Sequence, residues 1–232
     1  DGTPETVRVR KRVARILAAA VCMATTLALA TSASAQPRYP ESYLRYAGDP
    51  AKRGESADRM PGVLKEVTFR QQLDQQLPLD ARFKDEYGQD VQLGDYFKTG
   101  KPVVLAFVYY QCPMLCIQVM NGISSAIKPL TFTPGQDFDV VLVSFDPRDR
   151  PQDAAEKKKA HLEYWSAEAQ AKGWHFLTGT EAEIRRATQA AGFSYEWDER
   201  TQQFAHVSGV LVTTPEGRLS RYFYGIEYSA KE

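Results

Sequence analysis

Two nearly unbroken apolar runs, VVLAFVY at 103–109 and FDVVLVSF at 138–145, limit what this 232-residue chain can fold into more than any other feature. β-Branched and aromatic residues in succession, without polar alternation, predict strands covered on both faces. Strands of that kind are parallel neighbours joined by crossover helices. Helices are expected where the pairing needs them. Pro113 fits a first helical turn, which 114–127 continues. After a loop at 146–151, residues 152–171 predict a long, charged, amphipathic helix.

The remaining punctuation completes the pattern. Residues 79–83 and 91–93 flank Glu86-Tyr87-Gly88 as a hairpin, and 174–177 is a short strand. A further helix at 181–191 is stopped by Gly192. Residues 207–213 and 219–224 form a hairpin around Pro215-Glu216-Gly217. The sum is an α/β sandwich of thioredoxin-like type: a central mixed sheet flanked by helices, with a terminal β-hairpin.

The first 35 residues belong to no part of this fold. Arg8, Arg10, Lys11, Arg12 and Arg15 precede an uncharged stretch at 16–30, and Ala33-Ser34-Ala35 follows as a small-residue cleavage site. Fifteen apolar residues fall short of the roughly 20 that span a bilayer, so a signal peptide is expected at 1–35, with an N-terminal anchor as the alternative. Cys22 lies inside the run behind Val21, which is no lipidation context. The expected location is the periplasm, either soluble after cleavage or tethered to the inner membrane. Residues 36–67, with Pro37, Pro40, Pro50 and Pro61, predict a linker. The domain then occupies 68–232, with its regular structure starting near Leu77. Ser229-Ala230-Lys231-Glu232 resembles the opening turn of another helix, so a C-terminal truncation is expected. Basic and acidic residues number 29 each, and this removes the cationic surplus that nucleic-acid binding requires.

Without the leader two cysteines remain, Cys112 and Cys116, at the junction of a buried strand and a helix. If the segment is helical, positions i and i+4 place their Cβ atoms roughly 5–6 Å apart. Two thiolates at that separation converge on one metal at about 2.3 Å, whereas a disulfide wants Cβ atoms about 3.8 Å apart and a local distortion. A helix N-terminus favours a thiolate. Two buried cysteines acting as small hydrophobes are the plainer alternative. A third ligand would separate metal from redox chemistry. His161, mid-way along the charged helix, is expected to face solvent, and His175 to be a satisfied core or edge residue. His206 immediately precedes the first strand of the terminal hairpin, and in a thioredoxin-like sheet that strand runs beside the cysteine-bearing loop.

Several segments in order now resemble the Sco/SenC family of copper proteins: Phe107-Val108-Tyr109-Tyr110-Gln111-Cys112-Pro113-Met114-Leu115-Cys116, Val143-Ser144-Phe145-Asp146-Pro147-Arg148-Asp149, His206, Thr214-Pro215-Glu216-Gly217 and Tyr222-Phe223-Tyr224-Gly225. The resemblance covers roughly 70–228. It implies copper, Cu(I) or Cu(II), held by Cys112, Cys116 and His206. It implies as partners the copper-site subunit of cytochrome c oxidase, whose CuA centre the protein would help assemble, and other copper chaperones, close to a membrane. Asp146 matches an acidic residue that stands near the metal in the family; the same loop also carries helix-start signals, with Asp153 near the N-cap. Three departures stand out. Ile117 follows the second cysteine where many members have Pro, Arg150 replaces a common Thr, and Ala205 replaces an Asp before the histidine. The last removes a carboxylate that could orient His206.

Two soft thiolates and an imidazole suit Cu(I) best, and structural zinc normally closes with four protein ligands. The leading expectation is a metallochaperone rather than an enzyme. The alternative is a periplasmic thiol–disulfide oxidoreductase in which Cys112 and Cys116 are a redox-active pair reducing the cysteines of a copper-site subunit. A peroxidase is weaker, because no peroxide-activating Arg/Thr pattern precedes Cys112.

Overall fold

The computed structural model describes residues 67–112 and 114–229. The leader expected at 1–35, the linker up to residue 66, and the turn expected after Ser229 lie outside the described residues. In chain order the elements are β1 (Arg82–Lys84), β2 (Asp90–Gln92), β3 (Val103–Val108), α1 (Leu115–Ile127), β4 (Asp139–Ser144) and α2 (Pro151–Trp165). Then follow β5 (Trp174–Leu177), α3 (Glu181–Ala190), β6 (Tyr195–Asp198), β7 (Gln203–His206), β8 (Gly209–Thr213) and β9 (Leu219–Tyr224).

One five-stranded sheet runs in the order β5-β4-β3-β8-β9. β3 pairs parallel with β4, and β4 parallel with β5. β8 is antiparallel to β3, and β9 to β8. The two apolar runs thus become the adjacent strands β3 and β4, and every residue of β4, an inner strand, is buried, as a strand covered on both faces requires. Trp174, Phe145, Phe176, Leu142, Leu105 and Leu211 are among the large side chains closed off completely. This is the thioredoxin-like arrangement with its terminal hairpin.

The domain engages its chain from Thr68 onward. Arg70 N–H donates to Gly192 O at 2.8 Å and Ser194 N–H to Thr68 O at 2.9 Å, while Asp74 and Leu77 bond the backbone of Leu219 and Gly217. Gly192 ends α3 with φ +66, and a Cβ there would collide with Arg70 O, so the residue serves both the helix stop and this docking.

Four expectations need correction. α2 ends at Trp165, because Ser166 turns left-handed (φ 50) and a separate 3-10 turn follows at Glu168–Gly173. α2 begins at Pro151 with Arg150 as N-cap; Asp153 sits three residues in and accepts the Arg150 backbone N–H at 2.8 Å. His161 does not face solvent: it is 3% exposed, at 2.9 Å from Ser124 Oγ and against the Trp174 ring at 5.0 Å. Burial drives its imidazole down to about 4, so it stays neutral between α1 and the core. The fourth is β6–β7, a separate antiparallel hairpin placing Tyr195 opposite His206, where no strands were expected. His175 is partnered, near Asp139 at 3.7 Å and tilted against the Tyr96 ring at 4.6 Å.

Candidate metal centre

β3 delivers Cys112 to the top of the sheet. The strand ends at Val108, and the chain turns there with Cys112 N–H donating to Tyr109 O at 3.2 Å. α1 starts only at Leu115, so Cys112 precedes the helix and Cys116 lies in its first turn. The two are therefore not an i, i+4 pair on one helical face. Cys116 N–H instead donates back to Cys112 Sγ at 3.3 Å, giving an orphan helix N–H a soft acceptor. Tyr109 N–H donates to Cys116 Sγ, also at 3.3 Å. Both sulfurs are thus fixed by backbone donors, and both are buried, Cys112 at 5% and Cys116 at 1% exposure.

β7 brings the imidazole. His206 Nε2 lies 3.7 Å from Cys116 Sγ, and Nδ1 lies 2.7 Å from Val207 O. A carbonyl only accepts, so Nδ1 carries the proton and Nε2 turns its lone pair toward the sulfurs. The ring is packed against Phe145 at 5.0 Å and Tyr109 at 5.8 Å. The ligand atoms of Cys112, Cys116 and His206 all lie within 4.8 Å of one another, the only such group of three among the described residues.

The two thiols do not share charge evenly. Cys112 is held well below the ordinary thiol range, first by its hydrogen bond with the Cys116 thiol, then by the His206 ring and last by the backbone N–H groups near it, against the opposing effect of burial. Cys116 is pushed well above that range by burial and by the charge on Cys112. One anionic sulfur and one protonated sulfur face one imidazole lone pair. This donor set is soft, nearly preassembled and compatible with copper.

Asp146 stands outside the cluster. Its carboxylate is engaged by Arg148, with Nε at 2.8 Å from Oδ1 and Nη2 at 2.8 Å from Oδ2. The Arg148 guanidinium in turn covers the Trp197 ring at 4.5 Å and Phe204 at 5.4 Å. Asp146, Arg148 and Trp197, with Tyr109, Gln111, Gln202 and Gln203, line a cleft of about 420 Å³ beside the cysteines. Sequence reasoning did not single out the aromatic collar of β6 and β7. Its signal was present as alternation: Phe193, Tyr195 and Trp197, then Phe204 and His206, each two apart.

A thioredoxin-like sheet with two cysteines at the β3–α1 junction and a histidine delivered across from them defines a small class of soft-metal and thiol proteins. The chain belongs to the SCO1/SenC family, whose profile matches residues 71–232. A protein of Aquifex aeolicus VF5, provisionally assigned to electron transfer, is 28% identical over 68% of this chain and 88% of its own, with a TM-score of 0.60. A second Aquifex aeolicus VF5 protein, provisionally assigned to electron transport, is 29% identical over 68% and 92%, with a TM-score of 0.57. ScoI of Arabidopsis thaliana, whose structure has copper bound, is 23% identical over 65% and 88%, with a TM-score of 0.53, and shares the fold. Among curated proteins none matches the chain significantly.

Proposed function

We propose that the protein carries copper as cargo on Cys112, Cys116 and His206 and delivers it to the copper-site subunit of cytochrome c oxidase, at the CuA centre, on the periplasmic side of the membrane. The observation that carries the reading is the convergence of two sulfurs and an imidazole nitrogen within 4.8 Å at a strand–helix junction. Redox or packing roles for the cysteines give no reason for a histidine with its Nε2 lone pair aimed at them. Three protein donors leave coordination space through which a recipient's ligand can attack, as a delivery protein requires. Copper on the Arabidopsis thaliana ScoI structure accords with this reading.

The chain's own groups divide the work. Cys112 offers a ready thiolate, Cys116 releases its proton when it binds, and the Val207 carbonyl fixes the imidazole tautomer. Oxidation of the pair by a disulfide-bearing acceptor, with loss of two electrons and the single Cys116 proton, removes both sulfur ligands and so releases or blocks copper.

The uneven split between the cysteines supports a second reading, a thiol–disulfide oxidoreductase. A low-lying Cys112 thiolate would attack a partner disulfide and Cys116 would resolve the mixed disulfide, passing two electrons to the partner, whose released thiolates take up the Cys116 proton and one from water. The His206→Ala substitution separates the two. Under the copper reading, reduced wild type binds one Cu(I) per chain, and His206→Ala weakens binding by more than about 100-fold, beyond the usual effect of a residue that only orients a ligand. Oxidase activity in copper-limited cells falls with it, while thiol exchange persists. Normal oxidase assembly by His206→Ala would favour the oxidoreductase.

A further inference from the structure

Any ion bound by Cys112, Cys116 and His206 must travel from solvent to two sulfurs that are almost closed off. The described residues hold four sulfur-bearing side chains, and three are buried: Cys112, Cys116 and Met120, the last at 1% exposure. The fourth, Met114, stands between the two cysteines in sequence and leaves 61% of its surface exposed. It is the residue immediately before α1, with φ −146 and ψ −62, outside helical geometry. It lies two residues after Cys112 and two before Cys116, so its backbone adjoins both sulfur ligands, whose own link is the Cys116 N–H donating to Cys112 Sγ at 3.3 Å. None of the other large exposed apolar residues, Leu73, Tyr87, Leu130, Phe132 and Tyr224, carries a sulfur.

We propose that Met114 is a transient outer donor for Cu(I), taking the ion from a carrier and passing it inward to the three ligands. The proposal rests on the copper reading given above. A neutral thioether is soft enough to capture Cu(I), yet it holds the ion less firmly than an anionic thiolate and lets it go inward. Copper stays Cu(I) throughout and no electron moves. A bond to Met114 Sδ forms as one bond to the carrier breaks. The thioether then leaves as Cys112 Sγ bonds, and any thiol that still holds a proton releases it to water. Transfer outward retraces the same steps.

The test is stopped-flow transfer of Cu(I) from its coloured bicinchoninate complex to the reduced protein, and back to excess chelator. Met114→Leu keeps the volume and apolarity and removes only the sulfur; Met114→Gln keeps the length and replaces the soft donor by a hard one. Both variants are expected to slow uptake and release together by about tenfold, leaving the end point to the three inner ligands. Unchanged rates in either variant would overturn the proposal. Faster release with weaker final binding would also overturn it, because Met114 would then be a resident ligand. If wild type takes up no Cu(I), the copper reading itself fails and this proposal falls with it.

Discussion

Replacing Asp149 by Asn should change how the stability of the domain depends on pH. Asp149 closes the loop between β4 and α2 and is 6% exposed. Its Oδ2 accepts the Ser144 hydroxyl at 2.6 Å and the Tyr110 backbone N–H at 2.7 Å, while Oδ1 is buried without a hydrogen-bond partner. Burial pushes the carboxyl up from 3.8 to about 6 against the pull of those two bonds, and the charges of Asp146 and Asp153 add to the rise. The folded chain therefore keeps a proton that the unfolded chain gives up. The stabilisation is whole below pH 3.8 and is lost as the pH rises through about 6. At 1.36 kcal/mol per tenfold change, the span amounts to about 3 kcal/mol.

Asn is neutral at every pH and nearly the same shape. Urea unfolding of the reduced, metal-free wild type and of Asp149→Asn, at several pH values between 4 and 7, isolates the effect. Wild type is expected to lose about 2 kcal/mol of that span relative to the variant between pH 4 and 7. A wild-type-minus-variant difference that stays flat would refute the argument, since Asp149 would then be ionised and its bare oxygen solvated. The residue matters to the site because the Tyr110 N–H that it holds lies two positions before Cys112, beside the Tyr109 N–H that holds Cys116.

Limiting iodoacetamide at neutral pH should alkylate Cys112 before Cys116, because the first is held as thiolate while the second is protonated and more deeply buried; peptide mapping that found Cys116 modified first would contradict the charge assignment. Gly122→Ala should lower the melting temperature, by an overpacking cost of about 1–3 kcal/mol, because a Cβ on α1 would collide with Ile226 O and lie 2.9 Å from the Tyr228 ring. An unchanged thermal midpoint would show that the segment after β9 yields freely.

The layered core was legible because burial on both faces leaves a direct trace in composition: strands β3 and β4 coincide with the two apolar runs to within a residue or two. Helix ends were less legible. No glycine or proline marks Ser166, so its left-handed turn at the end of α2 is invisible in the pattern, and the charged sequence beyond it still looks helical. His161 was misplaced for a related reason. The charged residues around it suggest a solvated face, yet the helix turns Ala154, Lys158, His161 and Leu162 inward, and the Ser124 hydroxyl satisfies the imidazole there. A partner from another helix cannot be read from local sequence. The two cysteines were legible from spacing, but their relation was not, because it depends on α1 starting at Leu115 rather than at Pro113.

The substitution at 205 bears on which chemistry His206 can support. With Ala205 in place of the Asp common in the family, no side-chain carboxylate stands next to the histidine in sequence to orient it. The structure supplies the orientation from the backbone, with Val207 O at 2.7 Å from Nδ1, and from the rings of Phe145 and Tyr109. A carboxylate would stabilise an imidazolium as well as fix the tautomer, and so would prepare the ring to give a proton to a departing thiolate. The Nδ1–Val207 bond leaves Nε2 facing the Cys116 sulfur at 3.7 Å, the placement that a metal ligand needs. Disulfide exchange could use such an acid and has no use for a fixed lone pair. The backbone-held histidine therefore weighs toward cargo binding and away from a dedicated reductase.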